Sequence, residues 1–111
     1  MFITEEWKND VLIVYLEGSL DTLTSGSLES FLKDRMDSAR QIIFDFTDVS
    51  YISSAGLRVI VMAHKRMKER DGLLIRNVGE RVMEVFTVTG YVHALKIESG
   101  CPVPPIPGNK L

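Results

Sequence analysis

Apolar residues in this chain fall into short dense runs that alternate with stretches of helical period. Phe2 to Glu6 and Val11 to Glu17 (VLIVYLE) read as two strands, the second rich in β-branched and aromatic residues, with Asn9-Asp10 turning the chain between them. Trp7 reads as a packing residue at the rim. Gly18 ends the second strand, and Gly18-Ser19-Leu20-Asp21 leads as a loop into a helix. From about Ser25 to Ser38 the residues Leu28, Phe31, Leu32, Met36 and Ala39 recur at helical spacing, while Glu29, Lys33, Asp34, Arg35 and Asp37 cover the other face. An amphipathic helix is predicted there, N-capped by Thr24 or Ser25.

The stretch Gln41 to Ala63 (QIIFDFTDVSYISSAGLRVIVMA) is the most apolar and predicts the centre of the fold. Gln41 to Phe46 is a buried strand, and Thr47, Asp48 and Ser50 lie in a loop. A buried helix starts at Ser53-Ser54 and ends near Arg70-Asp71, with Gly72 suited to the left-handed position after it. Leu73 to Ile75 follows as a strand, Arg76 to Glu80 as a loop with Asn77 placed to cap, and Glu80 to Thr89 as a third helix closed by Gly90. Ala94 to Ile97 is the last strand. The order ββαβαβαβ predicts a single α/β domain over residues 1–98: a mixed sheet covered by helices, with at least one antiparallel pair. Residues 99–111, which hold all four prolines, are expected to be an extended tail without a core of its own.

Composition narrows the partners. The 111 residues are 45% hydrophobic and 25% charged, with 13 basic against 15 acidic side chains and a net charge of −2. Nucleic acid and anionic membrane are disfavoured, since both select a basic surface. Cys101 is the lone cysteine, so no internal disulfide is expected. The acidic N-terminus and the lack of a long uncharged apolar run point to the cytoplasm.

Candidate chemistry gathers at the serine pair. Ile52-Ser53-Ser54-Ala55-Gly56 lacks the first glycine of a hydrolase elbow, and neither His64 nor His93 lies beside a carboxylate that would complete a triad. No phosphate-binding glycine motif occurs, His64 lacks partners at metal-ligand spacing, and Asp45 with Asp48 alone makes no metal site. No catalytic residue, metal or cofactor is therefore predicted. Two readings of Ser53 and Ser54 remain open: ordinary helix caps, or a phosphate acceptor facing free backbone amides and the positive end of the helix dipole. Asp21 is similarly dual, a turn former or the acidic rim of a partner site.

DFTDVSYISSAGLRVIV resembles the signature of STAS domains, in particular bacterial anti-sigma factor antagonists. Leu16-Glu17-Gly18-Ser19-Leu20-Asp21 resembles the family's Gly-x-Leu-Asp turn, and Arg81 to Tyr91 its third helix, so the resemblance spans about Phe2 to Ile97. It implies a small mixed sheet with helices packed on one side, and a binding protein rather than an enzyme. The implied partner is an anti-sigma factor with serine kinase activity, with a PP2C-type phosphatase reversing the modification. By position Ser54 is the phosphoacceptor and Ser53 the alternative, with Ser53 standing where aspartate is usual and Arg58 where glycine is common. The implied partner surface is Asp21, Thr22, Ser50, Ser53, Ser54, Gly56, Leu57 and Arg58. Two further readings stand beside it: a scaffold or small-ligand-binding module that works without phosphorylation, and a small hydrolase acting through Ser54.

Overall fold

The computed structural model of the chain describes residues 1–99. β1 (Phe2–Lys8) and β2 (Val11–Leu20) form an antiparallel hairpin, turned by Asn9 in a left-handed conformation (φ 56°). β3 (Gln41–Ile52), β4 (Leu73–Val78) and β5 (Lys96–Ser99) extend the sheet in the order β1-β2-β3-β4-β5, all parallel from β2 onward. Each parallel step crosses over through a helix: α1 (Ser25–Lys33), α2 (Ser54–Met67) and α3 (Glu80–Thr89). The strands progress in one direction, so right-handed crossovers place all three helices on one face.

That face carries the core. Leu12, Val14 and Leu16 of β2, Ile42, Phe44 and Phe46 of β3, and Leu73 and Ile75 of β4 are buried with Leu28 and Leu32 of α1, Ile60, Ala63 and Met67 of α2, and Val82 and Phe86 of α3. The Phe46 ring lies 6.2 Å from Phe44, edge to face, and 6.4 Å from Phe86, so β3 and α3 lock through aromatic contact. Among the described residues no helix covers the opposite face. Asp45, 6% exposed, is held there by the Thr47 amide and hydroxyl, by Arg76 Nε at 3.0 Å and by Asn77 Nδ2 at 2.9 Å. Burial works against its charge, but these donors outweigh it and hold the carboxyl below its ordinary range.

The element order agrees with the sequence reading; several boundaries do not. β3 runs through the expected loop at Thr47 to Ser50 as far as Ile52, and β2 runs past Gly18 to Leu20. Their pairing shifts register between Tyr15 and Glu17 and again between Gly18 and Ser19. The buried positions there, Phe46, Val49 and Ile52, consequently lose the two-residue alternation that marks a strand. α1 stops at Lys33 rather than Ser38, and Met36–Ser38 forms a separate 3-10 turn. Arg70, from beyond α2, holds this turn in place: its Nη1 donates to the carbonyls of Met36 (2.6 Å), Asp37 (3.1 Å) and Ala39 (2.7 Å), while the Ala39 amide closes on the Met36 carbonyl at 3.3 Å.

α2 ends at Met67, short of Arg70-Asp71, and the Gly72 amide closes back on the Met67 carbonyl at 3.0 Å with φ +93°. β4 extends to Val78 and contains Asn77, whose side chain binds Asp45; Asn77 is not a cap, and Gly79 precedes α3 without a side-chain cap. β5 begins at Lys96 instead of Ala94 because Tyr91–His93 form a 3-10 turn behind Gly90. Ser99 belongs to β5; the rest of the proline-bearing tail, with Cys101, lies outside the described residues.

Candidate phosphoacceptor and docking site

The carboxyl ends of β2 and β3 meet the N-termini of α1 and α2 at one pole of the sheet, and the serine pair sits there. Ser53 is the N-cap of α2. Its backbone is extended (φ −96°, ψ 175°), its Oγ accepts from the Gly56 amide at 3.2 Å, and its carbonyl accepts from Leu57 N at 2.8 Å. Its own amide donates to the Leu20 carbonyl at 2.9 Å, which ties the helix start to the end of β2. Ser54 is the first helical residue, is exposed, and its hydroxyl has no partner among the described residues. The two serines are thus distinct: one is bonded to the helix backbone, and the other is exposed with no partner among the described residues.

Gly56 makes this arrangement possible. A Cβ at that position would lie 2.6 Å from both Leu20 Cγ and the Leu20 carbonyl oxygen, and 3.2 Å from Ile52 Cγ1. Only a residue without a side chain lets α2 approach β2 this closely. Gly56 and Leu57 are both buried, so they position the site from beneath, whereas Ser50, Ser54 and Arg58 are exposed.

The neighbouring loop is built around Asp21. Its Oδ1 accepts from Leu23 N at 2.9 Å and Thr24 N at 3.1 Å. The Thr24 amide is the main reason that the Asp21 carboxyl lies below its ordinary range, with partial burial opposing. Thr24 is the N-cap residue of α1, its carbonyl accepting from Leu28 N at 3.2 Å, but its Oγ1 donates to the Ser19 carbonyl at 2.8 Å and accepts from the Asp21 amide at 2.9 Å, so the side chain braces the loop rather than the helix amides. Asp21 is therefore a turn former first. Thr22 is exposed at the tip, and beside it stands Leu23, 89% exposed. Leu23 and the half-exposed Tyr51 fall within the two segments expected to form the interface, Gly18 to Thr24 and Ser50 to Arg58, although the sequence singles out neither. Ser50 lies close to Ser19, with their hydroxyl oxygens 3.3 Å apart.

This pole lacks what acyl-transfer chemistry requires. His64 lies roughly 15 Å along α2 from Ser54 at the usual helical rise, and His93 follows the far end of α3. Among the described residues no group of three or more metal-ligating side chains gathers, and no helix is long and apolar enough to cross a membrane.

Fold and site together describe a small α/β domain with an exposed serine at the start of a central helix. The STAS domain model matches residues 3–100, and the chain belongs to the STAS domain family. An anti-sigma-B factor antagonist of Staphylococcus aureus is 33% identical over 92 residues, covering 81% of this chain and 85% of that protein. Among solved structures, an anti-sigma factor antagonist from Mycobacterium paratuberculosis superposes with a TM-score of 0.80 at 19% identity, covering 87% of this chain and 84% of that one. The phosphorylated form of the Bacillus cell fate determinant SpoIIAA superposes at 0.70 with 16% identity, covering 88% and 91%. At these identities the two structures speak to the fold. The chain is a regulatory binding protein rather than an enzyme.

Proposed function

We propose that this protein is an anti-sigma factor antagonist, switched by phosphorylation of Ser54, that regulates transcription in the cytoplasm by partner switching. The observation that carries the reading is the division of labour at the helix start. Ser53 spends its hydroxyl on the Gly56 amide, while Ser54 presents an unbonded one to solvent. The phosphorylated state of a fold neighbour and the name of the staphylococcal relative support it.

In the forward step Ser54 Oγ attacks the γ-phosphorus of ATP. The Oγ–P bond forms, the bond to the β-phosphate oxygen breaks, ADP leaves, and the hydroxyl proton passes to solvent or a base on the kinase. In the reverse step a PP2C-type phosphatase adds water across the Oγ–P bond and releases inorganic phosphate. The docking surface is the exposed part of the pole: Thr22, Leu23, Ser50, Tyr51, Ser54 and Arg58, framed by Asp21 and Ser53. Phosphorylation adds about −1.5 to −2 charges at its centre, enough to expel a partner that had buried it.

The test uses the cognate anti-sigma factor kinase. With ATP it labels the wild type and Ser53→Ala but not Ser54→Ala, and Ser54→Asp weakens the complex. Undiminished labelling of Ser54→Ala removes the assignment. A second reading, a small-ligand module independent of Ser54, draws on a groove of about 570 Å³ lined by Val49, Ser50, Gly79, Glu80, Arg81 and Val82. It predicts partner or ligand binding that Ser54→Asp leaves untouched.

A further inference from the structure

Arg58 stands one helical turn after Ser54 on the exposed side of α2. Side chains at this spacing share a face of the helix and lie one above the other. Five other arginines are engaged: Arg35 with Glu5, Arg40 with Asp71, Arg66 and Arg70 with Asp37, and Arg76 with Asp45. Arg58 has no ion pair or hydrogen bond among the described residues. Across the helix interface, Glu29 of α1 shares a pocket of about 120 Å³ with Arg58, Val59 and Met62. Glu29 is already compensated by Lys33, with Nζ 3.3 Å from its carboxylate. An unspent guanidinium therefore sits within one turn of a free hydroxyl.

We propose that Arg58 is the receiving residue for a phosphoryl group on Ser54, closing an intrahelical ion pair over the first turn of α2. This rests on the reading of Ser54 as the modified residue. The order is the favourable one, with the anion N-terminal to the cation, and guanidinium binds phosphate oxygens in pairs. Phosphorylation then acts twice on a docked partner: it adds an anion and withdraws a cation from the same patch. The only other arginine without a partner among the described residues, Arg81, lines the groove at the start of α3 and is the natural rival.

The experiment installs phosphoserine at position 54 during translation, so no kinase is needed, and follows its second ionisation by phosphorus NMR. Wild type, Arg58→Gln, Arg58→Lys and Arg81→Gln are compared at low salt. Arg58→Gln is expected to raise that pKa by about 0.15 to 0.4 unit, the size of a helical i,i+4 pair. Arg58→Lys keeps most of the effect, Arg81→Gln leaves the value at wild type, and high salt shrinks the wild-type difference. The same pKa in wild type and Arg58→Gln overturns the proposal, as does a rise confined to Arg81→Gln. Failure here condemns Arg58 alone, whereas failure of the kinase labelling condemns Ser54.

Discussion

Replacing Gly56 by alanine tests the geometry on which the site depends. The new Cβ meets Leu20 Cγ and the Leu20 carbonyl oxygen at 2.6 Å, and the carbonyl is backbone that cannot swing aside. Relief requires α2 to lift from β2, which stretches the 2.9 Å bond from the Ser53 amide to Leu20 and loosens the cap on Gly56. Overpacking of this kind costs about 1 to 3 kcal/mol, and the weakened cap adds up to about 1. Alanine's better helix propensity returns somewhat under 1 kcal/mol. A net loss of about 2 kcal/mol is expected, which for a domain of this size lowers Tm by roughly 10 °C. Gly26 in α1 supplies the control, because a Cβ there meets nothing within 4 Å. Gly26→Ala is expected to be neutral or to gain a few tenths of a kcal/mol. Urea unfolding of both variants, with unchanged m-values, measures the pair, and amide exchange at Ser53 reports the lifted helix directly. If Gly56→Ala is as stable as Gly26→Ala, the close approach is not a constraint and the account of this helix start is wrong.

Three further perturbations separate structural from switching roles. Ser53→Ala loses the cap and about 1 kcal/mol in chemical denaturation, while Ser54→Ala stays within about 0.5 kcal/mol of wild type; equal losses would mean the two hydroxyls are not divided as described. Asp45→Asn costs about 2 kcal/mol at neutral pH by disordering the donors from Thr47, Arg76 and Asn77. The Asp45 carboxyl is depressed in the folded state, so its stabilisation is present above the unfolded value near 4 and lost as pH falls through the folded one; stability against pH in Asp45→Asn should lack that part of the acid limb. Arg70→Ala frees the carbonyls of Met36, Asp37 and Ala39, costs about 1 to 2 kcal/mol, and should speed amide exchange in the 3-10 turn after α1 while leaving partner binding at the opposite pole intact.

The order of strands and helices was legible because the core-facing runs VLIVYLE and QIIFDF and the period of α3 are local signals. The boundaries that failed are those set by distant residues. Nothing near Asp34 announces that Arg70 will take the carbonyls of the next turn. Nothing near Thr47 announces that β2 will pair onward through two register shifts. At the site, the sequence pointed to the serine pair and the resemblance to Ser54. The separation of their roles needed the extended backbone of Ser53 and the bond from Gly56. Gly56 and Leu57 matched a motif without revealing that both lie under the surface, and Leu23 became visible only as a side chain left outside the core.

The bond between the Ser53 amide and the Leu20 carbonyl has a mechanical side. Leu20 is the residue before the Asp21 turn, and Ser53 is the residue before α2. Through this one joint, two surface segments more than thirty residues apart in sequence are pinned to each other, so the Asp21 turn and the start of α2 keep a fixed relative position.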